Sequence, residues 1–146
     1  VIQATSTPAD IVVERSMYFP DGTRGGGHNA SGVTQPSTRW ILAEGATTGP
    51  FDTFILVVNP NASSTTVRVQ YLKSTGETVE FTDVIPASSR RTYWPRNDTP
   101  TRTALASAEF STVVESTEPG KPIVAERAMY FNAPAPGASF TRSGHD

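Results

Sequence analysis

The chain has 146 residues, a net charge of −2 and no cysteine. It is long enough for one domain with a self-sufficient core, and it excludes disulfide staples and thiolate metal sites. Its twelve basic residues are scattered, so the basic stripe that nucleic-acid binding demands is missing. Twenty threonines, twelve prolines and eleven glycines stand against two lysines, a composition of short, punctuated strands exposed to an extracellular or cell-surface environment.

The chain opens on Val1 rather than Met, which implies an excised or processed chain with any signal peptide removed. Ile11–Phe19 reads as a strand with Ile11, Val13, Arg15, Met17 and Phe19 in one row, stopped by Pro20. Asp21–Ser37 is a glycine-rich stretch without periodicity and reads as a loop or linker. Trp40–Ala43 is a short strand closed by Gly45, and Phe51–Val58 is the most apolar segment and the expected central strand. Its longest unbroken apolar run, Phe54–Val58, is far short of the roughly 20 residues of a membrane-spanning helix.

Asn59-Pro-Asn61 is turn chemistry. Thr66–Leu72 places Val67, Val69 and Tyr71 on one side, and Ser74–Glu77 is a hairpin turn leading back along Thr78–Ile85. Ser89–Trp94 is a further strand, and Arg96–Ala108 is polar with at most one helical turn. Phe110–Ser116 and Pro122–Phe131 read as a last hairpin across Glu118–Lys121. Seven to eight strands at this spacing predict an all-β fold, an antiparallel β-sandwich of immunoglobulin-like or transducer-like type. The expected core comprises Ile55, Val57, Val67, Val69, Phe81, Val113, Ile123 and Met129.

Ile11–Phe19 returns 112 residues later as Ile123–Phe131, identical at seven of nine positions, and Gly27-His28-Asn29 returns as Gly144-His145-Asp146. A period this long implies whole domains in tandem. Residues 1–37 then correspond to the closing strand and linker of a preceding repeat, and residues 38–146 to one complete sandwich repeat. The run Trp40–Gly45, the Asn59-Pro-Asn61 turn, Phe110–Ser116 and Pro122–Arg127 together resemble the tandem surface repeats of actinobacteria and Chloroflexi-type bacteria, with their Ala-Glu-Arg-x-Met-Tyr-Phe strand and Gly-Gly-His-Asp loop. The chain is also similar, in strand order and short patterns, to the sensory rhodopsin transducer family, a small β-sandwich that forms oligomers and has no enzymatic activity. The resemblance implies no catalytic residues.

Arg15 and Arg127 fall in the apolar rows of their strands, where a guanidinium needs a carboxylate. Glu44 is the expected partner of Arg127, with Glu109 or Glu115 behind it, as a structural ion pair or as one wall of a cleft. His28 and His145 occupy equivalent loop positions in separate repeats and lack the clustering that a metal site requires; no metal or cofactor is expected. Tyr93 and Trp94, with Trp40, suggest an aromatic platform for a sugar. Asn29, Asn61 and Asn97 head glycosylation triplets. Nucleophile elbows, phosphate loops and H-E-x-x-H patterns are missing, so no enzymatic activity is expected. The leading reading is a structural, adhesive surface domain. Its partner is a further copy of itself, in a homo-oligomer, filament or tandem array, met through the row Ile11, Val13, Arg15, Met17 and Phe19. The alternatives are a module that binds polysaccharide through Trp40, Glu44, Tyr93, Trp94 and Arg127, or a transducer-like oligomer that binds a partner protein.

Overall fold

A computed structural model describes the chain except residues 1, 3, 7, 8, 22, 23, 132–142 and 146; for 18–21, 24–28, 131 and 143–145 it describes the backbone alone. The elements in chain order are β1 (Glu14–Asp21), β2 (Arg24–Ser31), β3 (Arg39–Leu42), β4 (Phe51–Asn59) and β5 (Thr65–Lys73). They continue as β6 (Thr78–Ile85), β7 (Ser89–Tyr93), β8 (Phe110–Ser116), β9 (Val124–Phe131) and β10 (Ser143–His145). Two four-stranded antiparallel sheets, β10-β9-β4-β7 and β3-β8-β5-β6, form a β-sandwich. Among the described residues, the other two strands, β1 and β2, pair only with each other. No helix among the described residues is long and apolar enough to cross a membrane.

Strict alternation drives the two long central strands. Every second residue of β4 (Thr53, Ile55, Val57, Asn59) and of β5 (Thr65, Val67, Val69, Tyr71) is buried. Across the interior they meet Ile123 and Ala125 from the β9 side and Phe110 and Val114 from β8. Seven of the eight expected core residues are buried, and Phe81 is half-buried against the core. The β5–β6 hairpin forms as read, with Gly76 at φ +89° and the Lys73 N–H donating to the Glu77 carbonyl at 2.8 Å.

Polar residues close the ends. Asn59 is fully buried: its amide nitrogen donates to the carbonyls of Ser63, Ile85 and Pro86 at 2.8–3.0 Å. Its oxygen accepts from Asn61 N–H at 3.0 Å, Asn61 Nδ2 at 2.7 Å and Thr65 Oγ1 at 3.2 Å. Asn61 Nδ2 reaches on to the Pro122 carbonyl at 3.0 Å, so the Asn-Pro-Asn turn ties three loops together. At the other end, buried Thr47 Oγ1 donates to the Leu105 carbonyl at 2.7 Å and accepts from Ala108 N–H at 3.0 Å. That clamp holds Leu105, itself fully buried, as a plug from the segment between β7 and β8. Gly45 is required where the Phe110 ring lies against the backbone: a Cβ there would sit 2.7 Å from Phe110 Cε2.

Two expectations are corrected. Phe110–Ser116 and Pro122–Phe131 are not a hairpin: β8 lies between β3 and β5 in one sheet, and β9 lies between β10 and β4 in the other. Both edges of β8 are already occupied, so the chain crosses between sheets after Ser116. The glycine-rich stretch after Asp21 is no linker over Arg24–Ser31, which is β2; three glycines extend as readily as any residue once an adjacent strand supplies the hydrogen bonds.

Candidate functional site

The duplicated strand comes with a duplicated partner. β1 and β2 align Met17 with His28, Tyr18 with Gly27 and Phe19 with Gly26. β9 and β10 align Met129 with His145, Tyr130 with Gly144 and Phe131 with Ser143. Over these three pairs the two hairpins share one register, and β1 and β9 share most of their sequence. They differ in company: the other edge of β9 is paired along its length with β4, whereas among the described residues no strand pairs with the other edge of β1. β2 lies alongside β10, and Arg15 joins the hairpin to the sandwich through two bonds to Glu126, at 2.8 and 3.2 Å. Ile11 and Val12 are exposed, Val13 and Met17 are half-buried, and the Phe19 side chain lies outside the described residues. Ile11–Phe19 is thus not a strand without a partner, but its partner belongs to neither sandwich sheet.

Arg127, the counterpart of Arg15, is only 8% exposed and faces the core row opposite Ile55. Its Nη1 donates to the Glu44 carbonyl, and its Nη2 lies 3.9 Å from the exposed Glu44 carboxylate. The expected pairing with Glu44 therefore forms chiefly through the backbone. Glu115 is not behind it: it sits on the outer face of β8, 2.6 Å from Arg68. The guanidinium of Arg68 holds the Glu115 carboxyl below its ordinary range, and Glu115 in turn raises Arg68.

The aromatic platform of Trp40, Tyr93 and Trp94 does not form. Trp40 packs half-buried against the core and donates Nε1 to the Ile123 carbonyl at 2.8 Å. Tyr93 is a core residue whose hydroxyl donates to Asp83 at 3.2 Å. Trp94, one residue on and therefore of opposite parity, lies on the outer face of the β4 sheet. There its ring is 5.3 Å from Phe54, Phe54 is 5.6 Å from Tyr130, and Asp52 holds the indole N–H at 2.7 Å.

A polar cleft of about 740 Å³ lies between the edge strands β6 and β7. Arg91 and Asp83 bridge it at 3.1 Å, and Asp98 and Arg90 complete a mouth of balanced charge. Tyr71 also lines it. Its hydroxyl is buried with no hydrogen-bond partner among the described residues, and burial pushes its pKa up, with the charges of Tyr93 and Asp98 adding to the shift. Burial, followed by Asp83, pushes Tyr93 up as well. Both phenols keep their protons and can donate or accept. Sequence reading missed this cleft because its residues come from β5, β6, β7 and the loop at Asp98; only the unusual inward Asp83 and Arg91 hinted at it.

Of the three glycosylation triplets, Asn61 is unavailable because its amide is committed to Asn59 and Pro122. Asn29 and Asn97 are exposed. The side chains of His28 and His145 lie outside the described residues.

No family model and no curated relative matches the chain in sequence. Among solved structures it is similar to the Anabaena sensory rhodopsin transducer at 20% identity, with 66% of this chain and 91% of that one covered and a TM-score of 0.49. It is also similar to a Thermotoga maritima protein at 12% identity, with 77% of this chain and 91% of that one covered and a TM-score of 0.57. At these identities the likeness is one of fold alone.

Proposed function

We propose that the chain is a non-enzymatic structural and adhesive module, exported to the cell surface, that links to neighbouring units through its first hairpin. The observation that carries this reading is the shared register of β1–β2 and β9–β10, one hairpin built into a sandwich and the other outside it. A strand with an unpaired edge invites pairing with another chain, because its N–H and C=O groups are already aligned for it. The contact is heterologous, hairpin on one side and sandwich on the other, so it propagates as a head-to-tail array. Residues 1–37 serve as the end of one repeat and residues 38–146 as the next. Light scattering tests the reading on the full chain and on residues 32–146. The full chain should gain mass with concentration while the shortened one stays monomeric; two monomers at every concentration would refute it.

A second reading, a carbohydrate-binding module, is favoured by the cleft between β6 and β7 rather than by Trp94. Two arginines and two aspartates at its mouth suit a neutral ligand, and the hydroxyl of Tyr71 suits one that carries hydroxyl groups. Neutral sugars should bind the protein, Tyr71→Phe should abolish that binding, and Trp94→Ala should leave it intact; binding lost with Trp94→Ala alone would return the site to the outer face.

A further inference from the structure

We propose that the open edge of β1 in one copy of this chain adds antiparallel to the open edge of β6 in a second copy, with Ser16 opposite Glu80. The inference rests on the assembly reading above and names the surface that receives the hairpin. Alternation decides which backbone groups are open. The Gly32 N–H donates to the Val13 carbonyl at 2.7 Å and continues the β1–β2 ladder. Arg15 and Met17 therefore bond to β2, while Glu14, Ser16 and Tyr18 turn their N–H and C=O groups away from it. The next residue on that edge, Pro20, has no N–H and ends the run.

The edges of the sandwich differ in what they offer. On β6 the bond from the Lys73 N–H to the Glu77 carbonyl sets the alternation: Val79, Phe81 and Asp83 bond to β5, and Thr78, Glu80 and Thr82 are open. Beyond them, Asp83 Oδ1 accepts from the Val84 N–H at 2.9 Å and closes the run. β7 offers only Arg90 and Thr92, because Asp98 holds the Trp94 N–H at 2.6 Å and the Trp94 carbonyl accepts from Asn97 and Asp98. On β3, Ser37 Oγ accepts from the Arg39 N–H at 3.3 Å, which leaves Ile41. Residues 78–82 carry no proline, lysine or bulge, the devices that usually blunt a free edge.

The open positions of β1 and β6 match in one register: Glu14↔Thr82, Ser16↔Glu80 and Tyr18↔Thr78. It sets no like charges directly opposite each other, and it places Met17 opposite Val79, both apolar and both half-buried. A slip by two residues sets Glu14 against Glu80 in one direction and against the closed Val84 position in the other. A slip by one turns open groups toward closed ones. The receiving edge is also in the right place. Across the sandwich β6 stands beside β7, and β3 beside β9, so β6 lies on the side away from β10, where the hairpin sits. One copy can give its hairpin and receive another at the same time, which propagates head to tail.

Single-cysteine variants test the register, since the chain has no cysteine of its own. Under mild oxidation, Ser16→Cys mixed with Glu80→Cys should link the two proteins to each other in excess over either linked to itself. Ser16→Cys mixed with Thr92→Cys should not. In the full chain, Thr82→Arg sets a cation opposite Glu14 and should raise the association constant by up to about fivefold, the scale of one cross-strand charge pair; Glu14→Gln should cancel that gain. Growth in mass without a link between positions 16 and 80 above that between 16 and 92, or without a response to Thr82→Arg, overturns the proposal. Assembly through the hairpin would then stand with another receiving surface. A full chain that stays monomeric at every concentration overturns both.

Discussion

Replacing Asn59 with alanine should destabilise the sandwich more than any other single polar truncation in it. The side chain is fully buried and serves six groups: three carbonyls on one side, and the Asn61 N–H, the Asn61 amide and the Thr65 hydroxyl on the other. A net hydrogen bond contributes about 1 kcal/mol, and a buried group left unpaired costs about 1–3 kcal/mol. The bond to the Ile85 carbonyl is itself buried, so that carbonyl is the orphan; the carbonyls of Ser63 and Pro86 are half-buried and recover water. One orphan at about 2 kcal/mol and two or three net bonds at about 1 kcal/mol each give a loss of about 4–5 kcal/mol. Partial rehydration lowers the expectation to about 3–5 kcal/mol. Thr65→Val, which removes one bond to the same oxygen and a longer one accepted from Asn61 Nδ2 at 3.4 Å, should cost only about 1–2 kcal/mol. Urea unfolding followed by Trp fluorescence measures both. A loss below about 1 kcal/mol for Asn59→Ala at an unchanged m-value would show that the turn is not a hub and that its carbonyls find water freely.

Three further outcomes follow from the packing. Gly45→Ala should destabilise by about 1–3 kcal/mol through overpacking, and Phe110→Leu in the same chain should recover part of the loss by removing the ring it strikes; purely additive unfolding energies would contradict the contact. Tyr71→Phe should leave stability unchanged or raise it slightly, since the hydroxyl it removes has no partner among the described residues; a drop of more than about 1 kcal/mol would reveal a hydrogen bond there. Glu118 is held at a pKa of about 2 by Lys121 and then by the Thr66 N–H, well below its ordinary 4.5. A depressed carboxyl stabilises the fold above its unfolded pKa, and the benefit is lost as pH falls through the folded value. Unfolding curves of the wild type and Glu118→Gln should therefore differ above about pH 5 and converge near pH 2; a gap that persists at pH 2 would mean that Glu118 acts by packing instead.

The central sheets were legible because alternation is a local signal. Val67, Val69 and Tyr71 announce their face without help from the rest of the chain, and Pro86 and Pro95 mark strand ends. Three features were not local. β2 is a glycine run whose extended form comes from its partner, so it has no pattern of its own. The apparent β8–β9 hairpin failed because proximity in sequence outweighed a better clue: Thr112, Val113 and Val114 are buried in succession, as in a strand with neighbours on both sides. Parity also separates Tyr93 from Trp94. Ser89, Arg91 and Tyr93 oppose Asn59, Val57 and Ile55, so Trp94 had to face outward. The cleft depends on two edge strands from different sheets meeting, which no window of sequence contains.

β1 repeats most of the β9 sequence yet lies outside the two sandwich sheets, and amide hydrogen exchange on the full chain probes that difference most directly. In dilute solution the amides of Glu126, Ala128 and Tyr130, on the β4 side of β9, should exchange only by global unfolding, while those of Glu14, Ser16 and Tyr18, on the edge of β1 away from β2, exchange by far cheaper local opening. As protein concentration rises, protection at those three β1 positions should climb toward that of β9 while the sandwich amides stay unchanged. Protection of β1 equal to that of β9 in a dilute monomer would contradict the account, because the hairpin would then already belong to its own sandwich.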